Sequence, residues 1–61
     1  MVLYELLDIL TNDVEVFVTD PLSNELDHGY ASSLGDTSEY KKHKILEAIP
    51  QDGAIIVEIG V

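Results

Sequence analysis

The chain contains no cysteine, so neither a disulfide nor a thiolate metal site can stabilise it. Its 61 residues are enough for one small domain, and a domain of this size buries only about 60% of its unfolded surface. Small cores of this kind usually gain stability from a disulfide, a metal ion or a second subunit. Self-association, as in a homodimer, is therefore a source of extra stability that the composition leaves open.

Long hydrophobic runs are also absent. No unbroken apolar run exceeds four residues, as at 54–57, whereas a membrane-spanning helix needs about 20. The apolar stretch from Leu3 to Leu10 is interrupted by Glu5 and Asp8 and has no basic flank, so we do not expect a signal peptide. Together with the lack of cysteine, these features favour a cytoplasmic protein without a membrane partner.

Positive charge is scarce and confined to one place. The chain has twelve Asp and Glu residues but only three Lys and no Arg, so its net charge is −9. This charge repels nucleic-acid phosphates and anionic lipids. We therefore expect no direct nucleic-acid partner. Lys41, Lys42 and Lys44 all lie in the basic segment, YKKHKI at 40–45. We interpret it as protecting a sheet edge from pairing with another sheet, and the alternative is a small anion contact.

The apolar residues, 46% of the chain, follow regular spacings that indicate a folded core. Leu3, Leu6, Leu7 and Leu10 recur at helical spacing and predict a helix over residues 2–11.

Alternating β-branched residues then predict a strand over 14–20. A weaker alternation over 26–32 predicts a second strand, paired with the first in a hairpin. Residues 33–39 have the composition of a loop. The strongly apolar segment 54–60 predicts a final strand.

Residues 38–49 fit two interpretations. A capping pattern and apolar spacing would suit one long helix over this range. Against it, Pro50 disfavours helical geometry at the residue before it, and the following Gln-Asp-Gly has turn chemistry. We favour one helical turn near 38–42 followed by a strand over 44–49.

These elements predict an α+β fold, in which the N-terminal helix packs on a four-stranded antiparallel sheet. The two apolar strands should be central and the two weaker ones should form the edges. The strand order 2-1-4-3 satisfies both conditions, with all neighbours expected to be antiparallel. The connection over 33–43 must then cross the sheet, a distance of roughly 14 Å.

Residues that could support catalysis or bind a metal are few. His28 and His43 are the only histidines, and neither lies in a recognisable catalytic motif. Asp36 and Glu47 have the separation of the outer ligands of a calcium-binding loop, but Lys41 stands where that loop needs glycine. We therefore expect no catalytic residue, no cofactor and no metal, and a protein that is not an enzyme.

The second face of the predicted sheet carries an unusual mixture of residues. If one side of each strand packs on the helix, alternation sends four large apolar residues and three carboxylates to the other side. These candidate partner-binding residues are Glu15, Phe17, Ile45, Glu47, Ile49, Ile56 and Glu58. The residues expected to face the helix are Val14, Val16, Val18, Leu46, Ala48, Ile55, Val57 and Ile59.

Three hypotheses account for this second face. The connection over 33–43 could fold over it, with Leu34 or Tyr40 filling the apolar part. A second copy of the chain could pack against it as a homodimer. A foreign protein with a basic, partly apolar surface could bind it, since apolar patches rimmed by charge are typical of contact sites. In an extreme form, the carboxylates would mimic nucleic acid and inhibit a DNA-binding protein.

Both ends of the chain resemble known sequences. The opening ELLDILTNDVEVFVTD and the ending ILEAIPQDGAIIVEIG are similar to small acidic proteins encoded by bacteriophages and mobile elements of Gram-positive bacteria. Residues 21–43 have no counterpart in this resemblance, and most such proteins have no established function, so no site residue is implied. The resemblance implies a bacterial cytoplasm and a role in binding a host protein.

Overall fold

The computed structural model describes all 61 residues, which form two helices and four strands. In chain order these are α1 (Leu3–Ile9), β1 (Glu15–Thr19), β2 (Glu25–Tyr30), α2 (Ala31–Thr37), β3 (Ile45–Gln51) and β4 (Ala54–Ile59). Neither helix has the length and apolar character needed to cross a bilayer.

Helix α1 forms where the leucine spacing predicts it, over fewer residues than expected. Leu3 and Leu7 are buried, and Leu10, just past the helix, packs at the margin of the core. The Val2 N–H donates a hydrogen bond of 2.8 Å to Oε1 of Glu5, which holds the first turn. The acidic side chain at this end also suits the helix dipole.

The sheet has the predicted strand order, β2-β1-β4-β3, and the α+β class is confirmed. The two hairpins, β1–β2 and β3–β4, are antiparallel as expected. The central pair, β1 and β4, is parallel, so the expectation that all neighbours are antiparallel is wrong. The reason is the connection between the two hairpins. It crosses the sheet and also returns to the end of the sheet where β2 begins. Strand β3 therefore runs parallel to β2, and β4 runs parallel to β1.

That return is made by helix α2, which occupies most of the segment predicted as a loop. Residues 33–39 were predicted as a loop because Ser and Gly have weak helix propensity. The prediction is wrong because the tertiary contacts of this segment favour a helix. Ala31 and Leu34, three positions apart, are both buried. The Ala31 N–H also donates to the Val14 carbonyl at 2.9 Å, which fixes the start of the helix beside β1.

Beyond α2, a turn followed by a strand is confirmed, and the alternative of one long helix over 38–49 is wrong. Residues 39–42 form a hydrogen-bonded turn, not a helix. Strand β3 continues through Pro50, because an edge strand tolerates a residue without an N–H. The chain reverses at Asp52-Gly53, where both residues have positive φ (51° and 79°), as a tight two-residue hairpin requires.

The core lies on one side of the sheet only. The two central strands and both helices contribute all of its fully buried apolar side chains. These are Leu3, Leu7, Val16, Val18, Ala31, Leu34, Val57 and Ile59. Because α1 and α2 pack on each other and on the same face, the opposite face has no helix or loop over it.

Candidate interaction face

The uncovered side of the sheet, called the open face here, is a regular grid of side chains. The strand register aligns its residues in three rows that cross all four strands. The middle, apolar row is His28–Phe17–Ile56–Ile49. The acidic row on one side of it is Glu25–Thr19–Glu58–Glu47, and the third row on the other side is Tyr30–Glu15–Ala54–Gln51.

Phe17 and His28 form a stacked pair in the apolar row. Their rings stack with centroids 4.3 Å apart and an angle of 7° between the planes. Nε2 of His28 lies 3.3 Å from Oε2 of Glu15, so the imidazole is held from two directions. Both side chains of this polar pair remain 44% exposed, which leaves them accessible to a partner.

The apolar row is partly screened by its own neighbours and not by a covering element. Phe17 and Ile56, on the central strands, are half-buried between flanking side chains. Ile49, on the edge strand, is 45% exposed, and Tyr30 at the opposite edge is 55% exposed. The apolar side chains of this row therefore extend from β1 to the edge strand β3, and the stacked imidazole of His28 continues the row onto β2.

Carboxylates flank this apolar surface on both sides. The acidic row contributes Glu25, Glu47 and Glu58, and Glu15 lies in the third row. Glu47 and Glu58 are directly opposite each other on neighbouring strands. Like charges in this arrangement destabilise a sheet, so the pair is a local cost that the fold tolerates. A shallow hollow of about 460 Å³ lies over β1 and β4, lined in part by Phe17 and Ile56.

Six of the seven candidate partner-binding residues lie together on the open face. The exception is Ile45, which the sequence assigned to this face. The register of β3 shifts between Ile45 and Glu47, so that Leu46 is an extra residue in the strand. Ile45 therefore lies opposite Ile59 and packs against the core. For the same reason Leu46, expected to face the helix, is 50% exposed.

The sequence interpretation missed the other six residues of the grid, which are Thr19, Glu25, His28, Tyr30, Gln51 and Ala54. Three of them, Glu25, His28 and Tyr30, lie on β2, whose weak alternation gave no clear register. The predicted hairpin could have identified two of them, because antiparallel pairing with β1 places His28 beside Phe17 and Tyr30 beside Glu15.

The hypothesis that the connection over 33–43 covers the second face is wrong. Leu34 is buried in the core between the helices and the sheet, and Tyr40 packs against the same core. This partial burial, together with the nearby Glu39 carboxylate, raises the pKa of the Tyr40 hydroxyl above its usual value. The crossing segment thus lies wholly on the helical side.

The basic segment holds the start of helix α1. The first N–H groups of a helix have no partner within it. Here the Leu3 N–H donates to the His43 carbonyl at 2.9 Å, and the Tyr4 N–H donates to the Lys41 carbonyl at 2.8 Å. The backbone of the basic segment therefore completes the hydrogen bonding of α1, which the sequence interpretation did not anticipate.

The same segment leads directly into the edge strand β3, where the sequence placed it. The outer side of this strand is paired at its start by the chain's first residues: the Ile45 N–H donates to the Met1 carbonyl at 2.9 Å, and Val2 bridges Lys44. Backbone pairing thus closes part of this edge, and protection by the lysine charges stays a prediction.

Residues considered for catalysis or calcium binding lie apart. His28 is on β2, whereas His43 precedes β3, where its Nδ1 lies 2.8 Å from the Gly60 carbonyl. Asp36 is in α2 and Glu47 is on β3, so the two are not ends of one loop. No group of three His, Asp or Glu side chains converges in a geometry that could hold a metal ion.

Comparison with known proteins adds no relative. No protein-family model matches the chain, and neither curated proteins nor solved structures gave a match. The resemblance to phage and mobile-element proteins therefore stays a prediction, and the open face is the feature on which a functional proposal rests.

Proposed function

We propose that this chain is a protein-interaction module that binds another protein through its open face, and that it is not an enzyme. The observation that carries the proposal is the apolar row, which crosses all four strands without a covering helix or loop. Exposed apolar surface surrounded by polar groups is typical of protein contact sites.

The charge of the face supports a basic partner. Four carboxylates stand around the apolar row, and the chain as a whole carries a net charge of −9. Such a field accelerates encounter with a positively charged protein and disfavours acidic ones. We place this activity in the bacterial cytoplasm, with a host protein as the target of a phage or mobile-element product.

Capture from a bacterial lysate, followed by reconstitution, tests the proposal. Three immobilised proteins would be compared: the wild type, Ile56→Asp on the open face, and Ile9→Asp on α1, whose side chain is 72% exposed. Both variants replace isoleucine with the same acid, so they add equal charge. We expect a captured protein that is lost from Ile56→Asp and retained by Ile9→Asp, and that binds the wild type again after purification.

The fold of each variant would be checked by its amide NMR spectrum, so that loss of binding cannot reflect unfolding. Ile49→Asp provides a second open-face change at the sheet edge, where the side chain is 45% exposed and the fold is less sensitive. If every captured protein binds both open-face variants as well as the wild type, the open face is not the binding surface and the proposal is wrong.

A further inference from the structure

We infer that the partner of the open face is a cationic amphipathic helix, which lies across the four strands along the apolar row. The inference rests on the proposed function and specifies the chemistry of the partner. Its basis is the order of the three rows: an apolar strip in the middle, and carboxylates on both sides of it.

The charges on the face argue against a second copy of this chain as the occupant. Packing two open faces together would bring Glu15, Glu25, Glu47 and Glu58 of one copy close to the same four residues of the other. The only basic group in the grid, His28, is already next to Glu15. The three lysines precede β3 and lie outside the three rows.

The size of the face leads to the same conclusion. Four strands at about 4.8 Å spacing, with five residues each at about 3.4 Å, give a projected area of roughly 300 Å². Stable interfaces bury about 800 Å² on each partner. The open face alone is therefore small for a stable sheet-to-sheet dimer, whereas a single helix, about 10 Å in diameter, matches the apolar row along its middle and leaves the flanking carboxylates to side chains from the helix.

A helix suits this face better than an extended peptide. Each peptide group of a bound segment needs hydrogen-bond partners, and a helix supplies its own. The backbone groups of the sheet are paired between strands and point along the sheet, not out of its face. An extended peptide would find such partners at a sheet edge, not on the open face.

The spacing of the rows sets the direction and length of the helix. From His28 to Ile49 the apolar row crosses three strand intervals, roughly 14 Å at about 4.8 Å each. A helix rising about 1.5 Å per residue spans this distance in about ten residues, with apolar side chains at i, i+3 or i+4, and i+7.

The two flanks of such a helix would meet unequal charge. On one side lie Glu25, Glu58 and Glu47, and on the other lie Glu15 and the nearby turn residue Asp52. Each flanking row is two residues from the apolar row along the strands, or roughly 7 Å away. This distance is within reach of Lys and Arg side chains projecting from the sides of the helix, with more of them on the side of the acidic row.

Synthetic peptides test the inference directly. The probe is a capped 14-residue peptide with leucine on one helical face and lysine elsewhere. Three controls accompany it: the same residues in an order that forms no apolar face, the same pattern with glutamate in place of lysine, and the probe with a central proline. Binding is followed by amide NMR shifts and by fluorescence anisotropy.

We expect the probe alone to bind, with shifts centred on Phe17, Ile56 and Ile49. Ile56→Asp and Ile49→Asp should weaken binding at least tenfold, and Ile9→Asp should change it less than twofold. This comparison is sharp because each variant adds a negative charge, so attraction by charge alone would strengthen binding in all three.

Three results would overturn the inference. Equal binding of the control peptide whose residue order forms no apolar face would show that charge alone attracts the probe. Failure of the probe to bind, while a lysate protein still binds through Ile56, would refute the helix and leave the proposed function intact. A wild-type dimer in sedimentation equilibrium that Ile56→Asp dissociates would show that a second copy occupies the face, against both proposals.

Discussion

The two faces of the sheet are built from the same two central strands and differ completely in their environment. On the covered face, Val16, Val18, Val57 and Ile59 have no exposed surface. On the open face the same strands present Glu15, Phe17 and Thr19, and Ala54, Ile56 and Glu58, all of which remain in part accessible. A face meant only for water would not need Phe17 and Ile56 at its centre, and a face meant only for a core would not contain Glu15 and Glu58. The mixture suits the proposed binding surface, because the carboxylates keep the free protein soluble and the apolar side chains offer surface that a partner can bury.

The largest expected effect is a difference in stability between two variants, each of which places an aspartate at one of two adjacent residues on opposite faces of the sheet. Val57→Asp should unfold the chain at 25 °C, because an unpaired buried charge costs several kcal/mol and a domain of this size has only about 3–9 kcal/mol of stability. Ile56→Asp should cost about 1–2 kcal/mol and leave the fold intact, since its side chain is only half-buried. Urea denaturation measures both. Equal destabilisation would mean that the open face is a core surface.

A smaller effect tests whether the carboxylates serve binding at the expense of stability. Glu47→Lys replaces the like-charge pair with Glu58 by an attractive one and should stabilise the fold by about 0.2–1 kcal/mol. The same change should weaken binding of a cationic helix severalfold. Thermal unfolding and peptide titration at low and high salt measure the two effects. Glu39→Lys, outside the grid, is the matched control, and an equal loss of binding there would indicate a long-range charge effect.

The smallest effect lies outside both faces, in the turn between β1 and β2. Oδ1 of Asp20 accepts hydrogen bonds of 2.9 Å from the N–H groups of Asn24 and Leu22, and its Oδ2 accepts one of 3.1 Å from the Asn24 side chain. The bonds from Asn24, above all, hold the pKa of this carboxyl below its usual value of 3.8. Its contribution to stability is therefore present above pH 3.8 and lost as the pH falls through the lower folded-state pKa.

Asp20→Asn should accordingly lower the melting temperature slightly at pH 7 and reduce the loss of stability on acidification. Thermal unfolding between pH 2 and pH 7 measures this difference, with Asp13→Asn as a control in another exposed loop. An unchanged pH profile would show that the turn does not depend on the charge of Asp20.

Local patterns in the sequence predicted most of the fold, but they did not predict the direction of the second hairpin relative to the first. The leucine spacing gave α1 and the valine alternation gave β1, because each is decided within a few residues. Helix α2 could not be predicted in this way, since Ala31 and Leu34 are its only strong signal and its stability depends on contacts with α1 and the sheet. The parallel pairing of β1 with β4 followed from that missed helix, not from any feature of the two strands.

The same alternation predicted the residues of the candidate face, and the prediction failed where the alternation breaks. A strand pattern places every second residue on one face only while the register is regular. The shift beside Leu46 moved Ile45 to the other face, and nothing in the residues 44–47 marks that shift. His28 could be assigned to the face only once its partner strand was known, because the open face is formed by register across strands.

The central position of β4 has a consequence for how this chain is made. The first strand pairs with the last, Glu15 beside Ala54 and Thr19 beside Glu58, so the middle of the sheet joins segments far apart in sequence. Until synthesis has passed Ile59, the nascent chain has β1 with one edge unpaired and Val16 and Val18 without their partners from β4. Such non-local pairing slows folding and leaves a strand edge open to misassembly in the meantime. A ribosome stalled before β4 would therefore hold an incomplete sheet.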